Sequence, residues 1–145
     1  MKRIVACAIS LMGLVPVFCQ MISLSKASDV EYYISIQSLH YPYEMKNCVV
    51  TINTSQPVGI LQQPNEEIGK FSVEHQLAIK NLASLEKANF QIVVNGKQGS
   101  PATFDVSVKL TYDLESEKDP IAIRKSFNVR AEHIEIAPVP KRKPS

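Results

Sequence analysis

Apolar and polar side chains alternate without a break between Phe104 and Leu114. Every even position in this stretch is apolar, and every odd position is polar. Successive side chains of an extended strand point to opposite faces, so the pattern predicts a strand with one face against a core and one toward solvent. A helix would spread the same residues around its whole surface. This segment is the strongest structural signal in the chain, and it predicts a sheet that is buried on one side.

The same two-residue period recurs elsewhere along the chain. Further strands are predicted at 30–39, 46–54, 70–80, 90–94 and 121–136. In the last of these, the alternation shifts by one residue near Glu132 or His133, which predicts a β-bulge. The segment 81–89 differs, because its apolar residues recur every three positions, and we expect a short helical turn there. Glycine and proline interrupt 55–69, which we expect to be mostly loop with a short edge strand at 58–61.

Six or seven strands joined by short turns, with at most one small helix, are typical of two packed antiparallel sheets. We therefore predict an all-β chain with a single antiparallel β-sandwich over residues 28–136. The last residues, 137–145, are rich in proline and positive charge, and we expect them to form an extended tail outside the core.

One stretch carries a family resemblance. The family pattern is Leu-x-Ile-x-x-Leu-x-x-x-Asp-x-Ala-x-Tyr-x-Cys, and the residues at the same spacings here are Leu77, Ile79, Leu82, Glu86, Ala88, Phe90 and Ile92. This stretch resembles the corner between two strands of immunoglobulin-like and fibronectin-like domains. Phe90 lacks the hydroxyl of the family's tyrosine, and Ile92 replaces its cysteine. The resemblance implies an immunoglobulin-like sandwich that is not of the antibody type.

The amino terminus has the pattern of an export signal. A short positively charged start is followed by residues 4–24, which carry no charge and are mostly apolar. The small residues Ser25 and Ala27 then predict a secretory signal of residues 1–27, cleaved after Ala27. The mature protein would be periplasmic, on the cell surface or secreted. Two alternatives remain, namely retention of residues 4–24 as a membrane anchor and a lipid anchor on Cys19.

The distribution of charge limits the partners that we expect, and the number of cysteines limits the disulfides. The formal charge of +2 comes from the two ends of the chain, and acidic residues outnumber basic ones between 28 and 136. A nucleic-acid partner is therefore not expected, and a membrane contact is expected only if the N-terminal segment is retained. Cys48 is the single cysteine after the predicted signal, so the mature chain has no internal disulfide. The sequence leaves open whether Cys48 is free or pairs between chains.

The sequence offers few candidates for catalytic or metal chemistry. His40, His75, His133 and Cys48 are possible ligands, but neither Cys-x-x-Cys nor His-x-x-x-His spacing occurs. Neither a Gly-x-Ser-x-Gly elbow nor a glycine-rich phosphate loop is present. We therefore expect no cofactor and no catalytic residue. The alternative function is a small periplasmic metal-binding protein or enzyme that uses His40, His75 or His133.

Binding is the function that the remaining residues favour. Tyrosines cluster near the start of the predicted domain, and exposed tyrosines provide good contact surface for a protein or a sugar. The candidate interaction residues are Tyr33, Tyr41, Tyr43, Lys141, Arg142 and Lys143. We expect an exported, non-enzymatic binding or structural module with a protein partner. One setting for such a module is as an accessory subunit of a cell-envelope assembly.

Overall fold

The computed structural model describes residues 21–62, 68–96, 102–130 and 133–137 of the 145-residue chain. The described residues form eight strands: β1 (Ile22–Lys26), β2 (Glu31–Gln37), β3 (Lys46–Leu61), β4 (Ser72–Ala78), β5 (Lys87–Val94), β6 (Thr103–Asp113), β7 (Ile121–Arg130) and β8 (His133–Ile136). The prediction of an all-β, antiparallel fold is confirmed, with eight strands in place of six or seven. No helix in these ranges is long and apolar enough to span a membrane.

The strands form one antiparallel sheet that is nearly closed into a barrel. Its order is β1-β2-β5-β3-β6-β7-β8, and β4 pairs with β3 beside this path. The first and last strands of the order, β1 and β8, contact each other. Closure of this kind leaves few unpaired strand edges, because the two ends of the sheet meet.

Strand β3 is the centre of the fold because it pairs with three other strands. Its first half lies between β4 and β6, and its last residues, Val58–Leu61, pair with β5. The register of its pairing with β4 shifts between Asn53 and Val58. Pro57 lies in this interval and has no N–H for a ladder bond. Next to the proline, the His75 ring donates from Nε2 to the Val58 carbonyl oxygen at 2.8 Å.

The long β3 corrects the prediction of a loop with a separate short strand in this region. Residues 55–61 continue the strand that begins at Lys46. The backbone passes Pro57 because Thr54 Oγ1 donates to the Gln56 carbonyl oxygen at 2.6 Å, a local bond inside the irregular interval. Proline is tolerated in a strand at such an irregularity, and composition alone did not reveal it.

The core lies inside the nearly closed sheet. The five even positions of β6 all point into it, as the alternation from Phe104 to Leu114 predicts, and all five are buried, as is Leu114 just after the strand. Phe104 meets the edge of the Tyr32 ring, with ring centroids 5.3 Å apart. Other fully buried side chains come from the facing strands and loops: Met21, Ile22, Ile34, Ile36, Met45, Val50, Ile52, Leu82 and Ile92.

The helical turn predicted for 81–89 is wrong. Leu82 is buried because it pairs with Met45, and each backbone N–H donates to the other residue's carbonyl oxygen at 2.9 Å. Leu85 has a φ of 68°, a left-handed conformation that ends helical geometry. The three-residue recurrence therefore marks a turn between two strands, and β5 begins at Lys87.

The β-bulge predicted near Glu132 or His133 is also wrong. Glu132 lies outside the described residues, and His133 is the first residue of β8. Arg130 of β7 is the antiparallel partner of His133, so the chain reverses direction between them. A reversal resets which side chains face inward, and this explains the slip in the alternation.

Strand β1 lies inside the segment predicted to be a signal. Residues 22–26 pair with β2 in the structure, and Met21 and Ile22 belong to the core. The preceding residues, 1–20, and the tail residues 138–145 lie outside the described ranges. In the full-length chain, the last part of the predicted signal is therefore one strand of the sheet.

Candidate functional site

The predicted interaction residues that the structure describes lie in two separate places. Tyr33 lies on the outer face of β2 with 42% of its surface exposed. Tyr41 and Tyr43 lie in the segment between β2 and β3, residues 38–45, which we call the tyrosine loop. Tyr33 lies four positions before Gln37, the last residue of β2, roughly 13 Å along the strand. The other three candidates, Lys141, Arg142 and Lys143, lie outside the described residues.

The tyrosine loop is held at both ends by the turn between β4 and β5, residues 79–86. At its start, the Ser38 N–H donates to the Glu86 carbonyl oxygen at 3.0 Å, and the Leu85 N–H donates to the Ser38 carbonyl oxygen at 2.8 Å. At its end, Met45 and Leu82 form the bridge described above. These bonds join the two segments into one backbone unit, so the loop keeps its position relative to the sheet.

The β4–β5 turn is itself braced by a carboxylate. Glu86 Oε1 accepts the Ala83 N–H at 2.9 Å, and Glu86 Oε2 accepts a bond from Lys80 Nζ at 2.8 Å. The Lys80 bond, followed by the Ala83 bond, holds the pKa of Glu86 below its usual value. The carboxylate therefore stays ionised at neutral pH and keeps the turn closed.

Three large apolar side chains project from these two braced segments. Tyr41 is 84% exposed, Tyr43 is 38% exposed and Leu85 is 64% exposed. We call these three residues the apolar end of the molecule. Sequence reasoning did not name Leu85 as an interaction residue and placed it in a short helical turn. Its neighbours Glu86 and Lys87 were a signal that the segment faces solvent.

His40 connects the tyrosine loop to the core. Its Nε2 lies 2.6 Å from the hydroxyl oxygen of Tyr112, and the two ring centroids are 5.3 Å apart. Burial lowers the pKa of His40, and the charge of Glu117 opposes this shift. Burial raises the pKa of Tyr112 to about 12. At neutral pH, both groups are therefore uncharged, and they share a hydrogen bond that positions the loop.

Cys48 contacts the tyrosine loop from inside the core. The side chain is buried, and its Sγ donates to the Met45 carbonyl oxygen at 3.6 Å. Burial, helped by the nearby carboxylate of Asp113, raises the pKa of Cys48 to about 11. The thiolate is the form that attacks electrophiles and binds metals, so the protonated thiol is suited to neither task.

The three histidines are not brought together. His40 contacts Tyr112 as described, and His75 holds the irregular interval of β3. His133 lies 3.3 Å from Glu135 Oε1 on the exposed face of β8. In the ranges that the structure describes, no group of three His, Cys, Asp or Glu side chains is placed to hold a metal ion.

An open groove of about 340 Å³ lies on the outer face of β2, β5 and the end of β3. Its central carboxylate, Glu31, accepts a bond from Gln91 Nε2 at 2.7 Å and from Ser28 Oγ at 3.3 Å. Tyr33 forms part of the wall. Both oxygens of the Glu31 carboxylate are thus engaged within the protein, which favours a structural role for Glu31 over acid–base chemistry.

No protein-family model matches the chain, and no curated protein shows significant similarity to it. The proposal for its function therefore rests on the geometry of this molecule.

Proposed function

We propose that this protein is an exported, non-enzymatic binding module that contacts a protein partner through the apolar end. The observation that supports this most directly is the exposure of Tyr41, Tyr43 and Leu85 on two segments that are hydrogen-bonded to each other. Tyrosine is enriched at protein interfaces, where it supplies a large apolar surface and a polar hydroxyl. The module would act in the periplasm, on the cell surface or outside the cell.

The bracing of the tyrosine loop adds to the case for binding. A loop that is already ordered loses little conformational entropy when a partner covers it, so more of the contact energy remains for affinity. The loop is tied to the β4–β5 turn at Ser38 and Met45 and to the core through His40. Three side chains form a small contact area, which suits an accessory subunit whose partner assembly makes further contacts elsewhere.

The chemistry of the most reactive side chains supports a non-enzymatic role. Burial keeps the Cys48 thiol protonated, and the three histidines each make a separate contact within the fold. The finer architecture that we propose is an immunoglobulin-like sandwich, with the nearly closed sheet divided into two facing halves at the irregular interval of β3. The amino terminus supplies the signal for export.

The proposal is tested with the double variant Tyr41→Ser/Tyr43→Ser. Tagged wild-type and variant proteins are expressed in the native source, and captured partners are quantified by mass spectrometry. Both tyrosines are exposed, so folding is preserved, and partner capture falls at least 10-fold because each interface tyrosine contributes on the order of 2 kcal/mol.

Tyr33→Ser provides the matched control. Tyr33 is an exposed tyrosine similar to Tyr43 but lies on a different surface. The partner is captured normally by this variant if the apolar end is the binding surface. Equal capture by all three proteins, or loss only with Tyr33→Ser, contradicts the proposal.

A further inference from the structure

Strand β1 is bound into the fold like any other strand. Its residues 22–26 pair in register with 32–36 of β2, and the Gln37 N–H donates to the Met21 carbonyl oxygen at 2.9 Å. Met21 and Ile22 are each only 1% exposed. Two residues that are buried this completely contribute to the core in the same way as the inward side chains of β6.

The contacts of β1 extend beyond β2. Lys125 Nζ on β7 donates to the Ile22 carbonyl oxygen at 3.1 Å, and β1 contacts β8. The strand therefore lies where the two ends of the sheet approach each other. Its loss would separate the ends and expose the inward face of β2 to water.

Ala27 lies in the turn of the β1–β2 hairpin. The N–H groups of Ala27 and Ser28 both donate to the Glu31 carbonyl oxygen, at 2.9 and 3.0 Å. Lys26 Nζ and Asp29 Oδ1 form an ion pair at 3.2 Å across the same turn. Hydrolysis after Ala27 would cut this hairpin at its turn and release β1 from the chain.

We propose that signal cleavage occurs upstream of β1, at the Cys19–Gln20 peptide bond, and that the mature protein keeps Met21–Lys26. This inference rests on the proposed export of the chain. A host signal peptidase would add water across the bond, leaving a carboxyl group on Cys19 and a free amine on Gln20. The exported chain would then be residues 20–145, with every described strand intact.

The sequence around this bond has the features that a signal peptidase requires. Val17 and Cys19 occupy the two positions that the enzyme reads, at the same spacing as Ser25 and Ala27, and Cys19, directly before the bond, has a small side chain. Residues 4–18 form an apolar segment of a length typical of signal peptides, whereas 4–24 is longer than that range.

The first test is the intact mass and N-terminal sequence of the protein recovered from the cell envelope of an export-competent host. A mature chain that begins at Gln20 supports the inference. A chain that begins at Ser28, or one that begins at a lipid-modified Cys19, overturns it while leaving export in place. The uncut chain overturns the proposed export and the cleavage together, so the two failures are distinguishable.

A matched pair of variants tests the position directly. Tyrosine is too large for the residue before the cut, so Cys19→Tyr should lower the fraction of processed protein at least 10-fold. Ala27→Tyr should be processed like the wild type, and the exposed position of Ala27 in the hairpin turn accommodates the larger side chain. Accumulation of precursor with Ala27→Tyr but not with Cys19→Tyr overturns the inference.

Discussion

His40 shows how one residue of the tyrosine loop makes the fold sensitive to pH. Burial lowers its pKa in the folded protein, whereas an unfolded histidine has a pKa of about 6.5. As the pH falls below that value, the unfolded chain takes up a proton that the folded chain resists. The unfolded state is then favoured, so the free energy of unfolding decreases on acidification until the folded His40 is also protonated.

We therefore expect wild-type stability to fall between about pH 7 and pH 5, with a smaller fall in His40→Gln. Glutamine can still hydrogen-bond to Tyr112 but carries no titrating group. The measurement is urea unfolding at a series of pH values in this window. His75 and His133 are present in both proteins, so the difference between the two curves reports His40, and identical curves contradict the prediction.

The lower limit of that pH window is set by carboxylates. Asn128 and then Arg130 hold the pKa of Asp105 below its usual value, and Glu86 behaves similarly. Groups with a lowered carboxyl pKa lose their stabilising effect only as the pH falls through values below about 4. Both carboxylates therefore still stabilise the folded protein at pH 5, and they do not affect the comparison of the wild type with His40→Gln.

Cys48 gives a second prediction at the residue scale. Because the thiol is buried and its pKa is about 11, it should react with an aromatic disulfide reagent at pH 8 at least 100-fold more slowly than a free cysteine. The rate should rise to that of a free cysteine when the protein is unfolded in guanidinium. Rapid labelling of the folded mature protein would show that Cys48 is accessible and would favour its pairing between chains.

At the scale of single elements, alternation predicted some strands well and failed at others for identifiable reasons. It located β6 within one residue, because one face of that strand is buried along its whole length. It missed the end of β3, where Pro57 interrupts the pattern but the strand continues to Leu61. It also assigned 81–89 to a helix, because the pairing of Leu82 with Met45 is a tertiary contact that no local period contains.

Neighbouring residues of β6 test the orientation of its faces. Leu110 is fully buried, and Leu110→Ala should lower the free energy of unfolding by about 2–5 kcal/mol through lost burial and the cavity left behind. Lys109 faces outward, so Lys109→Ala should change it by less than about 1 kcal/mol. Urea unfolding measures both, and equal losses would show that the strand is not buried on one side.

At the scale of the whole molecule, the candidate site depends on contacts between segments that are distant in the sequence. The sequence identifies the tyrosines but not the surfaces on which they lie. Tyr33 and Tyr41 are close in sequence, yet Tyr33 lies on β2 and Tyr41 lies in the tyrosine loop. Leu85 joins the apolar end only because the β4–β5 turn is bonded to the tyrosine loop at Ser38. Contacts across nearly 50 residues decide which side chains share a surface, and local patterns do not encode them.

Hydrogen exchange followed by mass spectrometry tests this architecture. Strand β6 is paired on both sides, with β3 and β7, whereas β8 is short and pairs only with β7 among the described strands. Amides of β6 should exchange most slowly and those of β8 should exchange at least 100-fold faster, since opening at an edge disrupts fewer contacts. Equal protection of β6 and β8 would require a further partner along β8.

The three-way pairing of β3 also bears on when the protein can fold during its synthesis. Val49 lies opposite Thr111, which is 62 positions later in the chain. Until β6 has left the ribosome, β3 lacks the neighbour that covers one of its edges, and contacts between distant segments form slowly. The nascent polypeptide therefore stays loose until it is almost complete, a property that would let a narrow translocation channel thread it before it collapses.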